Sequence, residues 1–152
     1  MSKEYIHYGS NKFDIRKFNE FSGRKDEYFT VLNKPAKYIG LWASPVNAKY
    51  GWKEYVEDNW SKKSYKLKTS FKFTLRPDAR ILTVRCKKDI ERYIKYDGCY
   101  IFDGEIDFRR IARRYDGMEL IHGENWAELH DAYFYTWDCD SIIIWNPEVI
   151  VA

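Results

Sequence analysis

The chain has 152 residues with 26 Lys plus Arg against 23 Asp plus Glu, a formal net charge of +3 with His neutral. That length suits one domain able to bury most of its unfolded surface without staples, and the mild basic excess permits an anionic ligand without demanding nucleic acid. Three cysteines, Cys86, Cys99 and Cys139, are odd in number and lack any Cys-x-x-Cys spacing, which excludes a disulfide scaffold, a zinc knot and dithiol redox chemistry. No apolar run reaches the 18 or more residues of a membrane span and no apolar leader opens the sequence, so the expectation is a cytoplasmic protein without membrane or metal. With 13 Tyr, 9 Phe and 6 Trp, rings are expected in both core and cleft.

In chain order, Glu4 to Tyr8 reads as a short strand ending at Gly9-Ser10, which leaves His7 beside a turn. Asn11 to Lys37 mixes Phe13, Phe18, Phe21 and Phe29 with Gly23 and many charges, and reads as a long, partly helical connection over a cleft. Tyr38 to Ala43 has strand composition around Gly40. Ser44 before Pro45 has the order of an N-cap and first helical residue. Pro45, Ala48, Trp52, Tyr55 and Val56 then fall at three- and four-residue spacing, predicting a helix over 45–58. Tyr50 projects off that stripe, as a ligand platform or as a half-exposed surface ring.

Ser61 to Lys68 carries four lysines and reads as a solvated loop or a phosphate contact. Alternation predicts strands at Phe71 to Leu75 and Arg80 to Arg85, antiparallel neighbours across Pro77-Asp78. Asp89 to Tyr96 reads as a short helix closed by Asp97-Gly98. Asp107 caps a helix whose inner face is Phe108, Ile111, Ala112 and Tyr115 and whose outer face carries Arg109, Arg110, Arg113 and Arg114. That outer face is a solvated surface or a basic patch for phosphate. Met118 to Ile121 reads as a strand, Asn125 with Glu128 as a capping box for a helix, and Ile142 to Trp145 as a central strand covered on both faces. Asp138 and Asp140 stand before that strand, on one face by alternation and opposite Ser141, either as site carboxylates or as turn caps. His122 and His130 are expected at the surface.

Four separated pieces, His7 with Gly9-Ser10, the block Gly40 to Tyr50, Tyr115-Asp116-Gly117-Met118, and the terminal strand running into Trp145-Asn146-Pro147, together resemble the ADP-ribosyltransferase superfamily in its diphtheria-toxin and poly(ADP-ribose) polymerase branch. The resemblance implies an α+β domain over 1–152 with a split, mainly antiparallel sheet and flanking helices, binding NAD as substrate. It implies NAD contacts from His7, Tyr8, Gly9, Trp42, Ser44, Asn47 and Tyr50. It implies catalytic roles for His7, Trp42 and a late carboxylate, for which Asp140 is the candidate, with Asp138 and Glu119 as alternatives. The family's glutamate aligns with Ser141. The implied reaction transfers ADP-ribose to a protein or nucleic-acid acceptor, as toxins and effectors in bacterial and phage conflict do; the alternative is a non-catalytic binding module that kept the cleft and lost the glutamate.

Overall fold

The computed structural model describes residues 2–16, 40–59, 67–95, 104–134 and 136–152. The expectations for 17–39, 60–66 and 96–103, which include most of the long connection, the lysine-rich loop and the Asp97-Gly98 stop, lie outside those residues.

The architecture is α+β with a mostly antiparallel sheet. Seven strands, β1 (Glu4–Tyr8), β2 (Leu41–Pro45), β3 (Ser70–Leu75), β4 (Ile81–Val84), β7 (Gly117–Leu120), β8 (Ser141–Ile144) and β9 (Ile150–Val151), run in the order β4-β7-β8-β2-β1-β3-β9. A separate two-stranded ladder joins β5 (Ile94–Lys95) to β6 (Glu105–Ile106). The helices are α1 (Trp52–Asn59), α2 (Lys87–Ile90), α3 (Phe108–Arg114) and α4 (Trp126–Ala132).

The strand β8 lies between β7 and β2, as its run of isoleucines demands. Ile143 faces the larger core, with Leu82, Val84, Phe108, Ile111, Met118, Leu129 and Trp137. Ile142 and Ile144 face a second core with Tyr5, Leu41, Ala43, Phe73 and Ile150. Period-two alternation on a strand with both faces covered thus divides three identical side chains between two cores. Asp107 caps α3 as expected, its carboxylate accepting the Arg110 N–H at 3.2 Å.

β3 and β4 are not the neighbours that their sequence adjacency suggests. β3 pairs with β1 and β9, whereas β4 pairs in parallel with β7, from Ile81↔Gly117 to Val84↔Leu120. Five inter-strand gaps separate them in sheet order, about 24 Å in a flat sheet. The stretch from Leu75 to Ile81, which contains a turn closed by Ala79 N–H to Arg76 O at 3.0 Å, reaches at most roughly 20 Å. The sheet must therefore curl, and Leu75, Ala79 and Ile81 accordingly pack against the same core as Phe73 and Ile150.

The predicted helix over 45–58 is also corrected. Pro45 ends β2 opposite Tyr5, and the Val46 N–H continues the ladder to Glu4 O at 2.9 Å, so the chain stays extended through the proline. The helix begins only at Trp52. Ser44 does serve it: the hydroxyl accepts the Trp52 N–H at 2.9 Å, from eight residues upstream instead of from the adjoining position. The Asn125–Glu128 capping box is absent too, because the Asn125 side chain makes no capping bond, although α4 itself forms.

Candidate functional site

β1 and β2 pair at only two positions, Tyr5↔Pro45 and Ile6↔Ser44. Beyond them a cleft of about 420 Å³ opens, of the size that small-molecule sites commonly have. β1 contributes Ile6, His7 and Tyr8, and β2 with its preceding residue contributes Gly40, Trp42, Ala43 and Ser44. Trp52 comes from α1, Trp137, Asp138 and Cys139 from the approach to β8, and Ser141 from its first position. Gly40 is required by packing: a Cβ there would collide with the carbonyl oxygen of Ile144.

Each wall is held by a specific bond. His7 Nδ1 lies 2.6 Å from the carbonyl oxygen of Trp42, a side-chain link between strands whose paired positions have ended. Its ring packs on Phe71 at 5.2 Å. Trp42 meets Trp137 edge-on at 5.0 Å, and Trp137 meets Phe134 in the same manner at 5.4 Å, so the aromatic wall continues into the larger core. Ser44, buried, donates to the carbonyl oxygen of Asp140 at 2.7 Å while accepting from Trp52 N–H. One hydroxyl therefore fastens β2, α1 and the lead into β8 together. Ser141 donates to Cys139 O at 2.9 Å, and burial pushes the Cys139 thiol up to about 11, which leaves it a poor nucleophile at neutral pH.

The carboxylates part company. Asp138 is exposed and lines the cleft, and it accepts a hydrogen bond from Tyr55, whose phenol is pushed up by burial and by that charge. Asp140 is buried and turned away, its carboxylate accepting the His122 N–H at 2.5 Å. Burial raises its pKa, with the His122 bond opposing. The two do not share a face, because regular strand begins only at Ser141 and the chain bends at Cys139 and Asp140. Glu119 does not line the cleft either; it is buried, bonded by Tyr5 Oη at 2.9 Å and Lys3 Nζ at 2.7 Å.

Of the residues expected to contact NAD, His7, Tyr8, Trp42 and Ser44 come together in the cleft, and Gly9, Asn47 and Tyr50 do not line it. Gly9, at a φ of +114°, spends its N–H on Thr69 O at 3.0 Å. Asn47 is exposed in the turn after β2. Tyr50 donates to Asp58 at 2.9 Å and stacks on His122 at 6.2 Å. His122 is not a surface residue: it lies half-buried against Trp126 at 3.4 Å between centroids, and burial with nearby His130 lowers its pKa to about 4. Trp52, Trp137 and Cys139 are lining residues that the sequence reading passed over. Trp52 was legible only as core stripe, and nothing in the spacing around Trp137 marks a cleft.

No family model, curated protein or solved structure matches this chain. Among the described residues no cluster of three or more His, Cys, Asp or Glu could hold a metal ion, and no helix is long and apolar enough to cross a membrane. What the cleft offers a ligand is therefore aromatic surface, one imidazole, two small polar groups and one solvent-facing carboxylate at its mouth.

Proposed function

We propose that this cleft binds NAD and that the chain is an ADP-ribosyltransferase with the split sheet of that superfamily, transferring ADP-ribose to a macromolecular acceptor. The observation that carries the reading is convergence: His7, Trp42 and Ser141, the positions matching the superfamily's histidine, aromatic and glutamate, line one cleft although they are scattered through the sequence. Aromatic walls suit a cationic pyridinium ring. The acid assigned to the chemistry is Asp138, which lines the same cleft, and Asp140 is assigned a structural role.

In the reaction the bond between nicotinamide nitrogen and ribose C1′ breaks, and nicotinamide leaves neutral with the bonding pair. The oxocarbenium-like ribose is stabilised by the Asp138 carboxylate, and the acceptor nucleophile forms the new C1′ bond and loses its proton to solvent. Trp42 orients the ring, with the buried Trp137 holding Trp42 edge-on from behind, and His7 steadies the cleft edge through Trp42.

One observation favours a second reading. Ser141 occupies the glutamate position and its hydroxyl is spent on Cys139 O, so no carboxylate projects from the strand itself. A binding module that holds NAD without turnover follows from that. Calorimetry with NAD and chromatographic detection of nicotinamide release in cell lysate separate the cases. Binding with release that Asp138→Asn reduces about 10²- to 10³-fold supports the transferase, binding without release supports the module, and absence of NAD binding overturns both.

A further inference from the structure

A second concavity, about 190 Å³, shares no lining residue with the cleft and is walled by arginines: Arg92 from the 3-10 turn after α2, and Arg110, Arg113 and Arg114 from α3. On α3 these occupy positions i, i+3 and i+4, so their side chains rise on one face. Arg109 does not line it, and Arg92, which no sequence spacing linked to the others, does. Two of the guanidinium groups are organised around one ring: Arg110 lies 5.4 Å and Arg92 5.8 Å from the centroid of Tyr93. Arg110 is further tethered by Nη1 donating to Arg92 O at 3.0 Å.

Among the described residues no carboxylate lines this concavity and none of the four arginines is ion-paired. Arg113 and Arg114, in the last turn of α3, gain from the helix dipole, but that accounts for neither Arg92 nor Arg110. Four like charges gathered with no counter-charge among the described residues are arranged for an anion, and guanidinium forks match phosphate oxygens bidentately. Tyr93 is only 1% exposed, so it presents no ring face to a base, and the site offers recognition of backbone phosphate alone. Four guanidinium groups from two elements carry more positive charge than one isolated phosphate monoester requires, which suits a polyanionic strand.

We propose that the concavity of Arg92, Arg110, Arg113 and Arg114 is a sequence-independent binding site for the phosphodiester backbone of a nucleic acid. It rests on the arginines alone and stands whether or not the cleft takes NAD. Fluorescence anisotropy with labelled mixed-sequence single-stranded DNA and RNA, at salt from about 50 to 200 mM, tests it. Binding by the native chain is expected to weaken about tenfold or more in Arg113→Glu/Arg114→Glu, with the salt slope reduced by about 1 to 2. Arg113→Gln/Arg114→Gln, which keeps helix-forming side chains, is expected to give an intermediate loss. Lys72→Glu, an exposed charge on β3, is expected to change affinity less than about twofold. The proposal is overturned if neither polymer binds at low salt, if the arginine and Lys72 variants lose affinity equally, or if inorganic phosphate or a phosphopeptide binds while both strands do not. NAD calorimetry on the same variants is expected to be unchanged, which keeps this result separate from that of the cleft.

Discussion

Along its β8 edge, β2 pairs at Leu41, Trp42 and Ala43, whereas along its β1 edge it pairs only at Ser44 and Pro45. The first edge is a closed seam with Ile142, Ile143 and Ile144 behind it, all at 0% exposure. The second opens into the cleft, and there a side chain, His7, reaches Trp42 O. One strand thus divides two tasks between its edges. Unbroken pairing backed by aliphatic packing supplies stability, and interrupted pairing leaves room for the cleft.

The largest effect on folding is expected at the closed edge. Ile143→Ala should lower unfolding stability by about 2–5 kcal/mol in urea titration, because it empties a site in the larger core. A loss well under that range would mean that the seam is not where stability resides. Ser44→Ala, at the point where the two edges meet, should cost about 1–2 kcal/mol by the same measurement, since it leaves the Trp52 N–H and Asp140 O without their shared hydroxyl.

A pH effect comes next. His122 is neutral when folded, with a pKa lowered from 6.5 to about 4, so the unfolded chain takes up its proton first as pH falls. The stability it contributes is full above about 6.5 and declines as pH falls towards 4. His122→Gln should flatten that part of the stability profile. Smallest on folding should be Asp138→Asn at the open edge, within about 0.5 kcal/mol of the native chain because the side chain is exposed. On the proposed transferase reading, the same substitution should reduce nicotinamide release about 10²- to 10³-fold. Equal losses of stability and of turnover would erase the contrast between the edges.

The parts of this fold that local pattern governs were legible in the sequence. Alternation marked β3, consecutive isoleucines marked a strand covered on both faces, and Asp107 announced α3. What pattern could not give is pairing at a distance. Sequence proximity suggested β3 beside β4, and only the demands of a curled sheet separate them. Ser44-Pro45 carries helix-start chemistry that the ladder with β1 overrides, displacing the helix to Trp52. In the cleft, His7 and Trp42 were readable because each sits on a strand with a recognisable boundary. Asp138 and Asp140 were not separable, because period-two counting assumes extended chain where a bend intervenes. Arg92 was invisible as a partner of α3, being nearly twenty positions upstream.

The strand order has a consequence for synthesis on the ribosome. The strand that closes the β2 seam, with Ile143 opposite Trp42, is made about a hundred residues after β2 itself. β4 likewise waits for β7, since a parallel pair needs a long crossover between its members. Until β8 arrives, β2 and its tryptophan present an unpaired apolar edge to other nascent chains. Completion of this sheet therefore waits until β8 has been made, and a chain halted before Ser141 is expected to be a substrate for chaperones or proteases.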